Sequence, residues 1–242
     1  MKVFAKTDIG KIRENNQDSF YIDEDDLKYK LYILADGMGG YAGGEIASSI
    51  AVNAVKTYIK NNLKKGEYSK EKFKQVIKEA IEYANMMVNE KAMEDEQISE
   101  MGTTLDVSII YEDRIFVGHV GDSRVYRIRN EIIRQLTNDH SYVEKLVRDG
   151  TITKEEAVNH PKKHMLIKVV GSKTFAEPDI LEKKILKDDV ILMCSDGLTN
   201  MVENKEIYNI IKSENENVAE TLVNQANRNG GYDNVTAIVI KI

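Results

Sequence analysis

The chain has one cysteine, no tryptophan and only two prolines in 242 residues. A lone cysteine excludes an intramolecular disulfide and makes a cysteine-based zinc site untenable. Cys194, inside VILMCS, reads instead as a small core residue. The length fits one large domain or two small ones, and no Pro/Ser-rich linker splits the chain. No apolar run approaches the ~20 residues of a membrane-spanning helix, so membrane insertion is not expected. The opening MKVFAKTDIG carries no apolar signal stretch, and the expected location is the cytoplasm. Positive charge is not in excess either: 40 Asp and Glu stand against 34 Lys and Arg, a net charge of −6. That argues against nucleic acid as a partner, since a basic face is the footprint of phosphate-backbone binding.

What is present is a soluble, globular composition, 42% hydrophobic and 31% charged, on a chain long enough to bury a substantial core. KVFAKTD, SFYID and KLYILAD read as strands, with the polar loop IGKIRENNQD between the first two and EDDLKY as a turn. EIASSIAVNAVKTYIKNNL has helical apolar spacing, and KKGEYS breaks it. KEKFKQVIKEAIEYANMMVNEKAM predicts a second long helix, with Phe73, Val76, Ile77, Ala80, Ile81 and Ala84 on one face and the Met86–Met87 pair filling core. TTLDVSIIY and RIFVGHV flank Glu112-Asp113, and RVYRIR and EIIRQL flank Asn130, as in antiparallel hairpins. Thr137 to Gly171 changes character. It is polar, carries a capping box from Thr153 to Glu156, and reads as a lid of short helices. VILMC is a strand. Glu203–Ser213 and Asn217–Arg228 are helices, the second capped by Asn217, and VTAIVIKI is the last strand. Strands and helix pairs in this order do not alternate as in a parallel α/β sheet. They fit antiparallel sheets covered by helix pairs.

Four apolar, strand-like runs stop at an acidic residue beside glycine or asparagine. These acids are Asp36, Asp122, Asp196 and Asp233. An Asp-Gly after an apolar run is ordinarily a turn. A turn alone does not explain four such carboxylates, nor why helices follow Asp36-Gly37 and Asp196-Gly197. Carboxylates held at strand tips can converge into a cage of hard oxygen ligands suited to Mg²⁺ or Mn²⁺. The loop from Gly37 to Gly44 offers a rival, because Gly37, Gly39 and Ala42 match the dinucleotide fingerprint G-x-G-x-x-A. The βαβ unit that fingerprint needs is missing, and Asp36 would face the pyrophosphate. The glycines better serve close backbone approach to a metal, with the Gly37 carbonyl as a candidate ligand. No Ser-His-Asp relay can be assembled around Ser123 or Ser195. His119, inside IFVGHV, reads as a satisfied strand histidine, while His140 and His160 flank the lid and could assist chemistry. With no side-chain nucleophile, a water activated between two metal ions is the expected attacker, which suits in-line displacement at phosphorus. Arg13, in the polar loop before Asp18, becomes a candidate bidentate phosphate clamp.

Taken in order, GKIRENNQDSF, ILADGMGGYAGGEIAS, MGTTL, VGDSRVY, LTNDHS, HP, LMCSDGLT and NGGYDNVTAIVI resemble the metal-dependent PPM/PP2C protein serine/threonine phosphatases, especially the compact bacterial type. The resemblance runs from Thr7 to Val239. It implies an α+β fold, a four-layer α-β-β-α sandwich of two antiparallel sheets flanked by helix pairs, in a single domain over residues 1–242 with a flap at about residues 137–171. It implies that Asp36 bridges two core Mn²⁺ or Mg²⁺ ions, that the Gly37 carbonyl contacts one, and that Asp196 and Asp233 bind the other. Asp122 would hold a third, weaker ion shared with Asp196. Asp18 would order metal waters and Arg13 would bind the substrate phosphate. The implied activity is hydrolysis of phosphoserine and phosphothreonine on proteins by a monomer that opposes a bacterial Ser/Thr kinase and acts on its substrates. A catalytically weak interaction module on the same fold is the alternative. Three positions depart from the family pattern: Met38 where many relatives have a histidine proposed as general acid, Gln17 for glutamate, and Tyr41 for histidine.

Overall fold

The computed structural model describes all residues except 24–27, 40–42, 64–67, 95, 176 and 214–215. In chain order the elements are β1 (Lys2–Asp8), β2 (Asp18–Ile22), β3 (Tyr29–Met38), α1 (Gly43–Asn62), α2 (Lys70–Ala92), β4 (Gly102–Thr103), β5 (Leu105–Tyr111), β6 (Arg114–Val120), β7 (Arg124–Arg129), β8 (Ile132–Gln135), α3 (Tyr142–Arg148), α4 (Lys154–Val158), β9 (Asp179–Lys184), β10 (Val190–Cys194), α5 (Asp196–Thr199), α6 (Asn204–Ser213), α7 (Val218–Arg228) and β11 (Val235–Lys241). Two antiparallel sheets result, one ordered β1-β11-β10-β7-β8 and the other β2-β3-β5-β6-β9, with β4 beside β3. Among the described residues no helix is long and apolar enough to cross a membrane.

Side-chain alternation builds the layers. Along β3, Leu31, Ile33 and Ala35 face α1 and α2, together with Leu105, Val107 and Ile109 of β5. The six apolar residues expected on one face of α2, from Phe73 to Ala84, are all fully buried there. Sealing the larger ones, Phe73, Val76, Ile77 and Ile81, from water is worth ~1.5–3 kcal/mol each. On the other side, Leu192 and Cys194 of β10 and Ala237 and Val239 of β11 pack against α6 and α7. The alternate positions meet between the sheets: Tyr32, Leu34, Val117, Ile191, Met193, Ile238 and Ile240. This is the four-layer sandwich the sequence implies.

Several local expectations need correction. β3 does not stop at Asp36 but runs on to Met38, because Gly37 and Met38 find a partner in β4. β9 is absent from the sequence reading. Its DILEKK carries no apolar alternation, as befits a charged edge strand pairing only with β6. The second hairpin turns at Asn130-Glu131, both with positive φ, so β8 begins at Ile132. Met86 is 46% exposed, and only Met87 packs against the core. Asn217 holds the cap position of α7 without a side-chain cap bond, whereas the capping box at Thr153 and Glu156 forms in full. The segment from Thr137 to Gly171 carries α3 and α4, but Thr137, His140, Ser141 and Val170 at its two ends are buried in the body. The turn at EDDLKY and the break at KKGEYS fall largely outside the described residues, as do Tyr41 and Ala42.

Candidate metal centre

The apolar layer between the sheets becomes polar at one end, and strand periodicity decides which residues change. On β3 the face carrying Tyr32 and Leu34 carries Asp36 next. On β2 the face carrying Ile22 and Phe20 carries Asp18, which pairs with Asp36 across the ladder. On β11 Thr236 follows Ile240 and Ile238, and beyond β10 Ser195 follows Ile191 and Met193. Ser195 and Thr236 hydroxyls both donate to Asp18 Oδ2, at 2.8 and 2.6 Å. Ser195 is thus a support for a carboxylate rather than a nucleophile. Asp18 Oδ1 is buried without a hydrogen-bond partner.

Asp36 is clamped through its backbone. Its N–H donates to Thr104 Oγ1 at 2.9 Å, and its carbonyl accepts from Thr104 N–H at 2.8 Å and Thr103 Oγ1 at 2.9 Å. Beyond it, Gly37 donates its N–H to the Gln17 carbonyl. A Cβ at Gly37 would run into the Gly44 carbonyl, and one at Gly44 into the Gln17 side chain. These two glycines let the start of α1 press onto the end of β3. Met38 closes the strand opposite Gly102 and presents a thioether, which carries no proton to donate.

Asp196 opens α5, and Asn200 Nδ2 donates to its Oδ2 at 3.0 Å. Asp233 accepts from its neighbour Asn234 N–H at 2.9 Å and from Arg13 Nη2 at 2.8 Å. Asn234 fastens the polar loop: its Nδ2 donates to the Ile9 and Asn15 carbonyls, both at 2.9 Å, and its Oδ1 accepts from Gln17 N–H. Asp122 lies in the turn between β6 and β7. Thr103, Thr104 and Asn234 stood in the quoted motifs without a role, because their partners are distant in sequence.

The carboxylates strain against one another. Burial holds the Asp36 pKa well above the usual carboxylate range, and the charges of Asp18, Asp196, Asp122 and Asp233 push it further. Asp18 is raised to about 7 by burial, and by Asp196 and Asp233, against the bonds from Thr236 and Ser195. Burial, then Asp196 and Asp139, raise Asp122 to about 7, while Arg124 opposes. Asp196 is raised by burial and by Asp233. Among the described residues no three His, Cys, Asp or Glu side chains form a closed ligand set. The aspartates share one end of the molecule and feel one another's charge. Clustered hard anionic oxygens with an unpartnered Asp18 oxygen fit Mg²⁺ or Mn²⁺, which would relieve that repulsion. Of the histidines, His119 is satisfied in the core as expected. His140 is buried behind Asp122, and His160 packs near Tyr142 on the lid. His164, exposed between α4 and β9, is close enough to offset part of the rise at Asp196.

Residues 11–236 match the Protein phosphatase 2C family. The chain belongs to that family. It is 36% identical over 238 residues to the serine/threonine phosphatase stp of Listeria innocua, covering 98% of this chain and 94% of that one. Its fold superposes on the serine/threonine phosphatase of S. agalactiae with a TM-score of 0.92 at 34% identity, covering 100% and 99% of the two chains. The catalytic domain of the serine/threonine protein phosphatase PstP, solved with two manganese ions, matches at a TM-score of 0.83 and 31% identity, covering 98% and 96%. This protein phosphatase 2C is therefore a metal-dependent protein serine/threonine phosphatase, acting on phosphorylated proteins.

Proposed function

We propose that the five aspartates and Arg13 divide the work as follows. Asp36, the Gly37 carbonyl, Asp196 and Asp233 would hold two core Mn²⁺ or Mg²⁺ ions, with Asp36 shared between them. Asp122, with Asp196, holds a third and weaker ion. When bound, the ions supply an activated water for attack at phosphorus and neutralise the phosphoryl oxygens. The observation that carries this reading is the common end of the sandwich to which Asp18, Asp36, Asp122, Asp196 and Asp233 all belong, close enough for the other four to raise the Asp36 pKa.

Arg13 grips the phosphoryl group. Its guanidinium is about half exposed beside Asp233, so its fork can turn from that carboxylate to a phosphate without crossing protein. Asp18 does not reach for substrate: Ser195 and Thr236 hold one oxygen and leave the other to orient a water. Gln17, on the Gly39 carbonyl, contributes polarity without charge. The chain acts as a single domain over residues 1–242, monomeric and cytoplasmic, with the 137–171 segment as its flap. It opposes a Ser/Thr kinase by dephosphorylating that kinase and its substrates. Asp36→Asn tests the core of this assignment: turnover of a phosphopeptide at saturating Mn²⁺ should collapse, and near-wild-type turnover would refute it. Phosphoproteomes with and without the protein test the kinase pairing; unchanged phosphoserine and phosphothreonine levels would reject it.

A further inference from the structure

Asp122 sits on a turn fastened to the body from outside, by Ser123 on Thr104 and by His140. Gly121 has φ +112°, and a Cβ there would collide with the Thr104 side chain. The turn is thus pressed against the residue that clamps Asp36, in a conformation only glycine adopts readily. Both backbone polar groups of Gly121 are taken by one distant residue. His140 N–H donates to the Gly121 carbonyl at 2.7 Å, and the Gly121 N–H donates to His140 Nδ1 at 3.1 Å.

We infer that His140 is the positioning residue for Asp122: its Nδ1 lone pair holds the Gly121 N–H and so sets where the Asp122 carboxylate stands. His140 is 4% exposed, so this contact is buried, and the turn's other anchor, Ser123 Oγ on Thr104 Oγ1 at 2.8 Å, does not touch the Gly121 N–H. With Nδ1 accepting, the ring proton is on Nε2, which lies 3.2 Å from Asp179 Oδ2, short of hydrogen-bond geometry. Asp179 is itself held by Lys168 at 2.9 Å. The other face of the ring meets His119, with centroids 4.6 Å apart. His119 is locked between Asp106 at 2.7 Å and the Asn138 carbonyl at 2.9 Å. Burial first, then the nearby His119 and Lys168, push the His140 pKa down to about 4, which keeps the lone pair available at neutral pH. The His140 carbonyl also accepts from Ile167 N–H at 2.8 Å, so the same residue ties down the returning end of the lid segment. Backing residues of this kind tune the ion held by the residue in front of them.

The inference rests on Asp122 holding the weakest ion, and the test separates the two. His140→Asn puts an acceptor where Nδ1 stands. His140→Gln puts its amide where Nε2 stands and leaves the Gly121 N–H alone. Mn²⁺ is titrated into each full-length protein by calorimetry, and bound ions are counted by electron paramagnetic resonance. The Gln variant should bind its weakest ion about 10–100-fold less tightly and keep the two tighter ions at wild-type affinity. It should also need correspondingly more Mn²⁺ for half-maximal turnover. The Asn variant should stay close to wild type. If Asn and Gln behave alike, whether both intact or both impaired, the acceptor is not what matters and the inference is overturned. Asp122→Ala is run beside them. If it removes the weakest ion while His140→Gln does not, the role of His140 alone falls. If it leaves that ion in place, the reading of Asp122 falls and takes the inference with it.

Discussion

Tyr32, Leu34 and Asp36 stand two residues apart on one face of β3, yet they meet opposite surroundings. Tyr32 and Leu34 are sealed between two sheets in an apolar cluster with Val117, Ile191, Met193 and Ile238. Asp36, one step further, shares its space with Asp18, Asp122, Asp196 and Asp233, whose charges all disfavour its own. The first region stabilises the sandwich and does no chemistry. The second opposes folding and is where chemistry can occur. The strand is continuous through both, but the Asp36 backbone is held by Thr103 and Thr104 where Leu34 is held by the β5 ladder. A protein can place a destabilising cluster accurately by hanging it on the last rung of a well-packed ladder.

Exchanging the character of either region should separate the two roles. Asp36→Asn should abolish most turnover at saturating Mn²⁺, by orders of magnitude, while raising the melting temperature in chelator. Each kcal/mol of relieved repulsion is worth about 2–4 °C in a chain of this size. A melting temperature that falls instead would show that Asp36 belongs with the structural layer. Leu34→Ala is the reverse experiment. It should lose ~2–5 kcal/mol of stability in urea titration, yet keep its kcat at a temperature where it remains folded; a selective loss of kcat would blur the boundary between the regions. Arg13→Ala should cost about 1.5–3 kcal/mol in kcat/KM on phosphopeptides, mostly through KM, as expected for hydrogen bonds to a charged group. Arg13→Lys should rescue only in part, because the planar fork is lost. Equal kcat/KM in all three proteins would return Arg13 to the surface. Smallest of all, Met38→Leu is nearly volume-conserving and should cost under ~1.5 kcal/mol in stability. Turnover of phosphopeptide and of p-nitrophenyl phosphate should both hold, and a loss confined to the phosphopeptide would give the thioether a role in leaving-group departure.

The parts of this arrangement that were legible in the sequence are the locally coded ones. The faces of α2 and the alternation of β3 follow from spacing alone; the acids at Asp36, Asp122 and Asp196 stand out because apolar runs end beside them, and Asp233 because one begins just after it. The capping box at Thr153 is likewise a four-residue signal, and it forms. What could not be read is coded by distance. Arg13 meets Asp233 across 220 positions. Thr104 supports Asp36 from 68 positions away. Gly121 finds His140 across 19, with no periodicity to announce it. β9 was lost for a different reason: an edge strand with charged residues at Asp179, Glu182, Lys183 and Lys184 is built to avoid looking like a strand. The extension of β3 to Met38 depends on β4, two residues long, which no window of sequence would reveal.

The first and last strands are neighbours. β1 pairs along its whole length with β11, from Lys2 opposite Lys241 to Asp8 opposite Val235. β11 also separates β1 from β10, so without it β1 has no place in its sheet. Asp233 and Asn234 enter just before β11, and Asn234 fastens the loop that carries Arg13. During synthesis, then, β1 emerges well before the strand it pairs with and must wait for it. The other sheet, β2 to β6 with α1 and α2, can assemble meanwhile from contacts closer in sequence. Contacts that span the chain form late and slowly. A nascent or C-terminally clipped product would lack Asp233, the loop clamp and a central strand at one stroke. Asp233, the clamp on the Arg13 loop and the seat of β1 therefore depend together on one late-made segment.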